Sequence, residues 1–263
     1  MRNKNKHFAI LRIFVWIFFI CVLLFPFFLI FQRYSEIEYE KEHQYHEFVS
    51  EAEKNSQSTN STTNDAANIT KIDEKKLPEK ILIEVPFTTQ APSANWDAVH
   101  EESCEEASIL MLNHFLNKTS FGSASDVDRE ILNLIDFEEK NNYKVDVTTD
   151  ELNRIAKDFF DLDTGRVVNN FTVNDLKKEL ASGRPIIIPA AGKLLKNPNF
   201  KGGGPVYHML VIKGYDQDNF ITNDPGTRNG NGYKYNIDLL FDAIHNWDKD
   251  NIINGNKSYL VFD

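Results

Sequence analysis

"YHMLVIKGYDQDNFITND", Tyr207 to Asp224, sets two apolar runs on either side of the polar tetrapeptide Asp216-Gln217-Asp218-Asn219. Short apolar runs separated by turn residues read as a β-hairpin. A turn at Gln217-Asp218 puts Asp224 opposite Val211 and beside Leu210. A one-residue slip or a bulge moves Asp224 onto the face of His208, two positions along, where diagonal neighbours lie about 7–8 Å apart. That is within reach of a carboxylate-to-imidazole hydrogen bond. Taken singly, each residue has a plainer meaning, His208 as a strand-end surface residue and Asp224-Pro225-Gly226 as a turn.

A third group lies upstream. In "HEESCEEASILMLNHF", His100 to Phe115, Cys104 stands where a helical pattern begins. Such a thiol is either a small core hydrophobe or a nucleophile. The start of a helix favours the thiolate, whereas Glu101, Glu102, Glu105 and Glu106 oppose it, so an imidazole is required to activate the sulfur. His114 is ten residues along the same helix, a rise of roughly 15 Å, which excludes it. His100 and His245 have no evident orienting partner in their local sequence. Cys104, His208 and Asp224 together satisfy the logic of nucleophile, base and orienter.

Around these residues the pattern is α+β. A β-type segment "KILIEVPF" precedes helices expected at Cys104 to about Leu116, at "SDVDREILNLIDFEEKNN" capped by Ser125 or Asp126, at "TTDELNRIAKDFF" capped by Thr148 or Thr149, and at "TVNDLKKELASG" capped by Thr172. Strands "RPIIIPAA", "YHMLVIKGY", "NFITND", "GYKYNI" and "SYLVFD" follow, with a helix "DLLFDAIHNW" before the last. Helices first and antiparallel strands later suggest N-terminal helices packed on an antiparallel sheet.

The N-terminal part differs in kind. Ile13 to Phe31 gives 19 consecutive uncharged residues, enough to span a bilayer core, and no small-residue cleavage site follows. The expected organisation is a basic cytoplasmic tail at 1–12, a transmembrane anchor at 13–33, a charged and then Asn/Ser/Thr-rich linker at 34–76, and a folded domain at 77–263. Arg2, Lys4, Lys6 and Arg12 before the run, against Glu36, Glu38 and Glu40 after it, place the domain outside the cell membrane.

A formal net charge of -10 and the lack of a basic patch argue against nucleic acid as a partner. Cys21 and Cys104 are the two cysteines; they form no disulfide framework, and no H-E-x-x-H or paired-cysteine motif suggests a metal. No cofactor is expected.

The segments "VPFTTQ", "CEEASILML", "YHMLVIKGYD" and "ITNDPGTRNGNGY" resemble the double-glycine-leader (bacteriocin-processing) cysteine peptidase-like family of the papain-like superfamily, over roughly Val85 to Asp263. The resemblance implies a papain-like fold, with Cys104 as nucleophile, His208 as base, Asp224 as orienter and Gln90 as oxyanion donor. Gln90 lies 14 residues before Cys104, whereas the family usually keeps its glutamine within a few residues of the cysteine. The leader-cleaving role of the family's best-known members is not expected to carry over. Gly202, Gly203 and Gly204 before His208, and Arg228 after Asp224, are candidates for substrate loops, while Trp96 and Tyr207 are either subsite aromatics or ordinary packing. The expected function is membrane-anchored, extracytoplasmic hydrolysis of peptide or amide bonds in a peptide or protein substrate. A cell-wall amidopeptidase of the same superfamily and a non-catalytic peptide-binding module are the alternatives.

Overall fold

"IIIPAA" and "YHMLVIKGY" lack the polar alternation of a half-exposed strand, and strands of that kind belong in the middle of a sheet covered on both faces. The computed structural model, which describes residues 77–263, places them there. Ile186–Ala191 (β3) and Tyr207–Tyr215 (β4) are buried at every position. Around them run Ile81–Leu82 (β1), Gly165–Asn169 (β2), Asn219–Asn223 (β5), Asn231–Asn236 (β6) and Ser258–Phe262 (β7). The order is β2-β7-β3-β4-β5-β6, with β1 on the far end of β4, and every pairing is antiparallel. The tail at 1–12, the anchor at 13–33 and the linker at 34–76 lie outside the described residues. Among the described residues no helix is long and apolar enough to cross a membrane.

Cys104–Leu116 (α1), Ala124–Lys140 (α2) and Thr149–Phe160 (α3) cover one face. There Ile109, Leu112, Leu134, Leu152 and Ile155 pack on Ile187, Met209, Val211 and Leu260. Val173–Ala181 (α4) and Ile237–Ala243 (α5) cover the other, where Leu176, Leu180 and Leu240 meet Ile186, Ile188, Leu210 and Ile212. The expected antiparallel sheet with helices is present, but the helices form two layers, not one N-terminal layer. The reason lies in β3 and β4, whose two apolar faces each need a cover.

Local chemistry explains the helix starts. Capping boxes open α2 (Ser123 with Asp126), α3 (Thr148 with Glu151) and α4 (Thr172 with Asp175), each satisfying N–H groups that the first turn leaves free. For α2 the cap is Ser123 and not Ser125 or Asp126. Helix α1 starts without a side-chain cap, because the Ser103 hydroxyl donates back to Val99 O at 2.7 Å. Three other expectations are corrected: of "KILIEVPF" only Ile81–Leu82 joins the ladder, α5 stops at Ala243 before His245, and β2 pairs with β7 where no strand was expected.

The β4–β5 hairpin contains the bulge that the site needs. Tyr215 pairs with Phe220 and Gly214 with Ile221, but beyond Lys213 the register shifts, so that Ile212 faces Thr222 and Val211 faces Asn223. Continuing that register sets Asp224 on the face of His208. Next to the bulge, Gly214 lets β1 pair closely with β4, since a Cβ there would meet Ile81 O at 2.3 Å. Only a residue without a side chain lets the two backbones come this close.

Candidate active site

Asp224 is fully buried, and an ionised carboxylate in that position requires hydrogen-bond donors on both oxygens. His208 Nε2 donates to Oδ1 at 2.8 Å and Gly226 N–H to the same oxygen at 3.0 Å. Tyr235 Oη and Asn197 Nδ2 donate to Oδ2. Burial alone would raise the Asp224 pKa, but the facing His208 charge and these hydrogen bonds outweigh it and hold the group below the usual carboxylate value. The His208 ring is packed edge-on against Phe200, with centroids 5.3 Å apart. Gly226 lies over its Cε1, where a Cβ would approach to 2.9 Å. The imidazole is thereby fixed in tautomer and direction, with Nε2 committed to the carboxylate and Nδ1 left for a reacting group.

Cys104 reaches the same strand from the α1 side. Side chains alternate along β4: Tyr207, Met209 and Val211 share a core with Cys104, whereas Leu210 and Ile212 belong to the opposite core. The thiol lies beside the backbone N–H of Met209, the residue after His208. Its side-chain partner is Glu105, to whose Oε2 the S–H donates at 2.9 Å. Among the described residues no hydrogen bond joins Cys104 to His208. Burial, followed by the Glu105 and Glu106 charges, pushes the thiol pKa well up. Cys104 is held as a neutral thiol capped by a carboxyl, one residue along β4 from an oriented imidazole.

Gln90 is buried beside this turn, with its backbone N–H on Pro225 O at 3.0 Å. Its amide hydrogens go to His100 O (2.9 Å) and Glu101 O (2.8 Å), in the 3-10 turn His100–Glu102 that leads into Cys104. In this arrangement Gln90 braces the turn that leads into Cys104. Gly202, Gly203 and Gly204 all have positive φ in the loop before β4, and Arg228 is exposed in the loop after β5. Trp96 is 40% exposed. Tyr207 is core packing, its hydroxyl donating to Val147 O at 2.9 Å.

The three other described histidines are engaged elsewhere. His100 lies between Asp97 (2.7 Å) and Asp128 (2.9 Å), partners that its flanking sequence only half reveals. His114 bridges Thr119 and Glu130, and His245 bonds to Gly255 O. Among the described residues no group of three or more His, Cys, Asp or Glu side chains is arranged to hold a metal ion.

A second buried acid pair lies behind Cys104. Glu106 on α1 and Glu138 on α2 each keep an oxygen without a donor, which two carboxyl groups resolve by sharing a proton. Burial raises Glu106 to about 7, and burial together with the Glu106 charge raises Glu138 to about 10.

A model of the Peptidase_C39 like family matches residues 82–251. No curated protein matches the sequence. Among solved structures, a crystal structure of a candidate C39-like peptidase from Bacillus anthracis matches with a TM-score of 0.47 and 14% identity, over 71% of this chain and 98% of that one.

The Glu106–Glu138 pair gives a pH dependence of stability with a definite sign. Both groups bind protons more tightly in the folded than in the unfolded chain, so their contribution is full below the ordinary value of 4.5 and is lost as pH rises through about 7 towards 10. Thermal melts from about pH 5 to pH 8 should show a falling midpoint. Glu138→Gln should flatten that fall and melt above the wild type at the alkaline end; a pH-independent wild-type midpoint, or an unchanged slope in the variant, contradicts the shared proton.

Proposed function

Because the chain belongs to the Peptidase_C39 like family, we propose that it is a cysteine peptidase that hydrolyses peptide or amide bonds with Cys104 as nucleophile, His208 as base and Asp224 as orienter. The observation that carries this reading is the buried His208–Asp224 pair at 2.8 Å, on the strand against which the Cys104 thiol packs. A substrate entering at the end of β4 draws the thiol off Glu105 and towards His208 Nδ1. The sulfur attacks the carbonyl carbon, its proton passes to the imidazole, and the amine leaves with that proton to give a thioester. Water then adds with the same base and releases the acid. Backbone N–H groups at the uncapped start of α1 are suited to the developing oxyanion. Gln90 joins them as a donor when one of its hydrogens leaves the carbonyl of His100 or Glu101. The Gly202–Gly204 loop and Arg228 contribute to the substrate groove, and no cofactor enters the chemistry.

The thiol–Glu105 hydrogen bond favours a second reading, a peptide-binding module in which the sulfur stays capped. One experiment separates the two. The protein is incubated with a proteome-derived peptide mixture and, in a second arm, with purified peptidoglycan, and new termini are read by mass spectrometry. Products that vanish with Cys104→Ala and fall about 10²–10⁴-fold with His208→Ala support hydrolysis. Binding without products, or products unaffected by Cys104→Ala, overturns it.

We place the domain outside the membrane, on the strength of the uncharged run at 13–31 and the basic residues before it. Protease added to intact cells should cut within Asn55 to Thr70 and release the domain; protection until lysis reverses this topology.

A further inference from the structure

The Oδ1 oxygen of Asp224 meets His208, but Oδ2 faces away from the imidazole and is held by a separate set of groups. Resting on the reading of Cys104, His208 and Asp224 given above, we propose that Tyr235 and Asn197 are positioning residues that clamp Oδ2, so that Oδ1 alone faces His208.

Three segments of chain converge here. Asp224 follows β5, Tyr235 comes from β6, and Asn197 comes from the loop after β3. Asn197 and Tyr235 are 2% and 3% exposed, so neither pairs with water in place of the other. The contacts close a triangle. Asn197 Nδ2 donates to Tyr235 Oη at 2.7 Å and to Asp224 Oδ2 at 3.2 Å, and Tyr235 Oη passes its own hydrogen to the same Oδ2. Both Asn197 amide hydrogens and the phenol hydrogen are thus committed.

The amide is fixed from its other end as well. Asn197 Oδ1 accepts from Asn199 N (3.0 Å) and Asn199 Nδ2 (2.9 Å), and Asn199 Oδ1 accepts from Asn229 Nδ2 at 2.9 Å. This chain leaves a single assignment of the Asn197 oxygen and nitrogen, with the donor towards Asp224. It also ties the loop before His208 to the loop after Asp224, so both catalytic loops bear on the position of one carboxylate.

A purely packing role would be met equally by phenylalanine at 235, whereas the clamp depends on the hydroxyl. Without it Oδ2 keeps one long hydrogen bond in a site closed to water, and the carboxylate can tilt towards other donors. Losses of this indirect kind typically run about 10–100-fold in activity.

The test uses Tyr235→Phe and Asn197→Leu, both close to the native volume, with Tyr233→Phe as control. Tyr233 packs at a 60° tilt against Tyr235, with centroids 4.8 Å apart, but makes no hydrogen bond to Asp224. The readouts are kcat and KM, and the low-field proton resonance of the His208–Asp224 hydrogen bond. Tyr235→Phe and Asn197→Leu should each shift that resonance upfield and lower kcat about 10–100-fold with KM little changed, while Tyr233→Phe alters neither. The clamp is overturned if Tyr235→Phe and Asn197→Leu keep the resonance in place, including the case where they only lower the melting temperature. The resonance reports on Asp224 even if the wild type cleaves nothing, so a failure of the peptidase reading is told apart from a failure of the clamp.

Discussion

A carboxylate that water cannot reach is the constraint around which this end of the sheet is arranged. Asp224 has no exposed surface, and an unpaired charge in that position would be too costly to keep. Four donors from His208, Gly226, Tyr235 and Asn197 make it tenable. Those donors come from β4, the turn after β5, β6 and the loop after β3, so satisfying one side chain fixes the relative placement of four segments. The bulge at Lys213 is the backbone's part in this, because without the register shift Asp224 would face the opposite core. Bulges near functional sites commonly re-aim a side chain in this way.

On the other face of β4 a different acid has the opposite effect. Glu105 accepts a hydrogen bond from the Cys104 thiol, and burial with the Glu105 and Glu106 charges keeps the sulfur neutral. The two halves of the site are each well ordered but not yet joined. One half is an imidazole already aimed by a carboxylate, and the other is a thiol capped by Glu105. On the proposed reading, such a site reacts only when a ligand competes with Glu105 for the thiol.

Much of this was legible in the chain. The hairpin was visible in its apolar runs and turn residues, and the choice between its two registers was narrowed to a bulge or slip. The cap at Thr172 was legible, and that of α3 was narrowed to Thr148 or Thr149, of which the reciprocal bonds with Glu151 select Thr148. Where sequence reasoning stopped short, the deciding contacts were long-range. Strand β2 exists because β7 supplies its ladder from the far end of the domain, and "GRVVN" by itself is too short to announce that. His100 looked unpartnered because Asp128 lies on the next helix. The roles of Tyr235 and Asn197 had no signal in spacing, since a tyrosine in "YKYNI" is ordinary strand packing until the fold brings Asp224 beneath it. Glu105 was read as one of several charges opposing the thiolate, with the right sign, but its direct hydrogen bond to the sulfur depends on a side-chain direction that sequence does not encode.

The central claim is that His208 activates Cys104 once Glu105 releases it, and the direct measurement is the rate of Cys104 alkylation by iodoacetamide as a function of pH. The wild type should react slowly at neutral pH, because its thiol is buried and faces a carboxylate. Glu105→Gln should react faster, with appreciable rate persisting below the usual thiol range of about 8.5, and adding His208→Ala to that variant should abolish the gain. If Glu105→Gln reacts no faster than the wild type, or if the double variant matches the single one at every pH, His208 does not act on this sulfur.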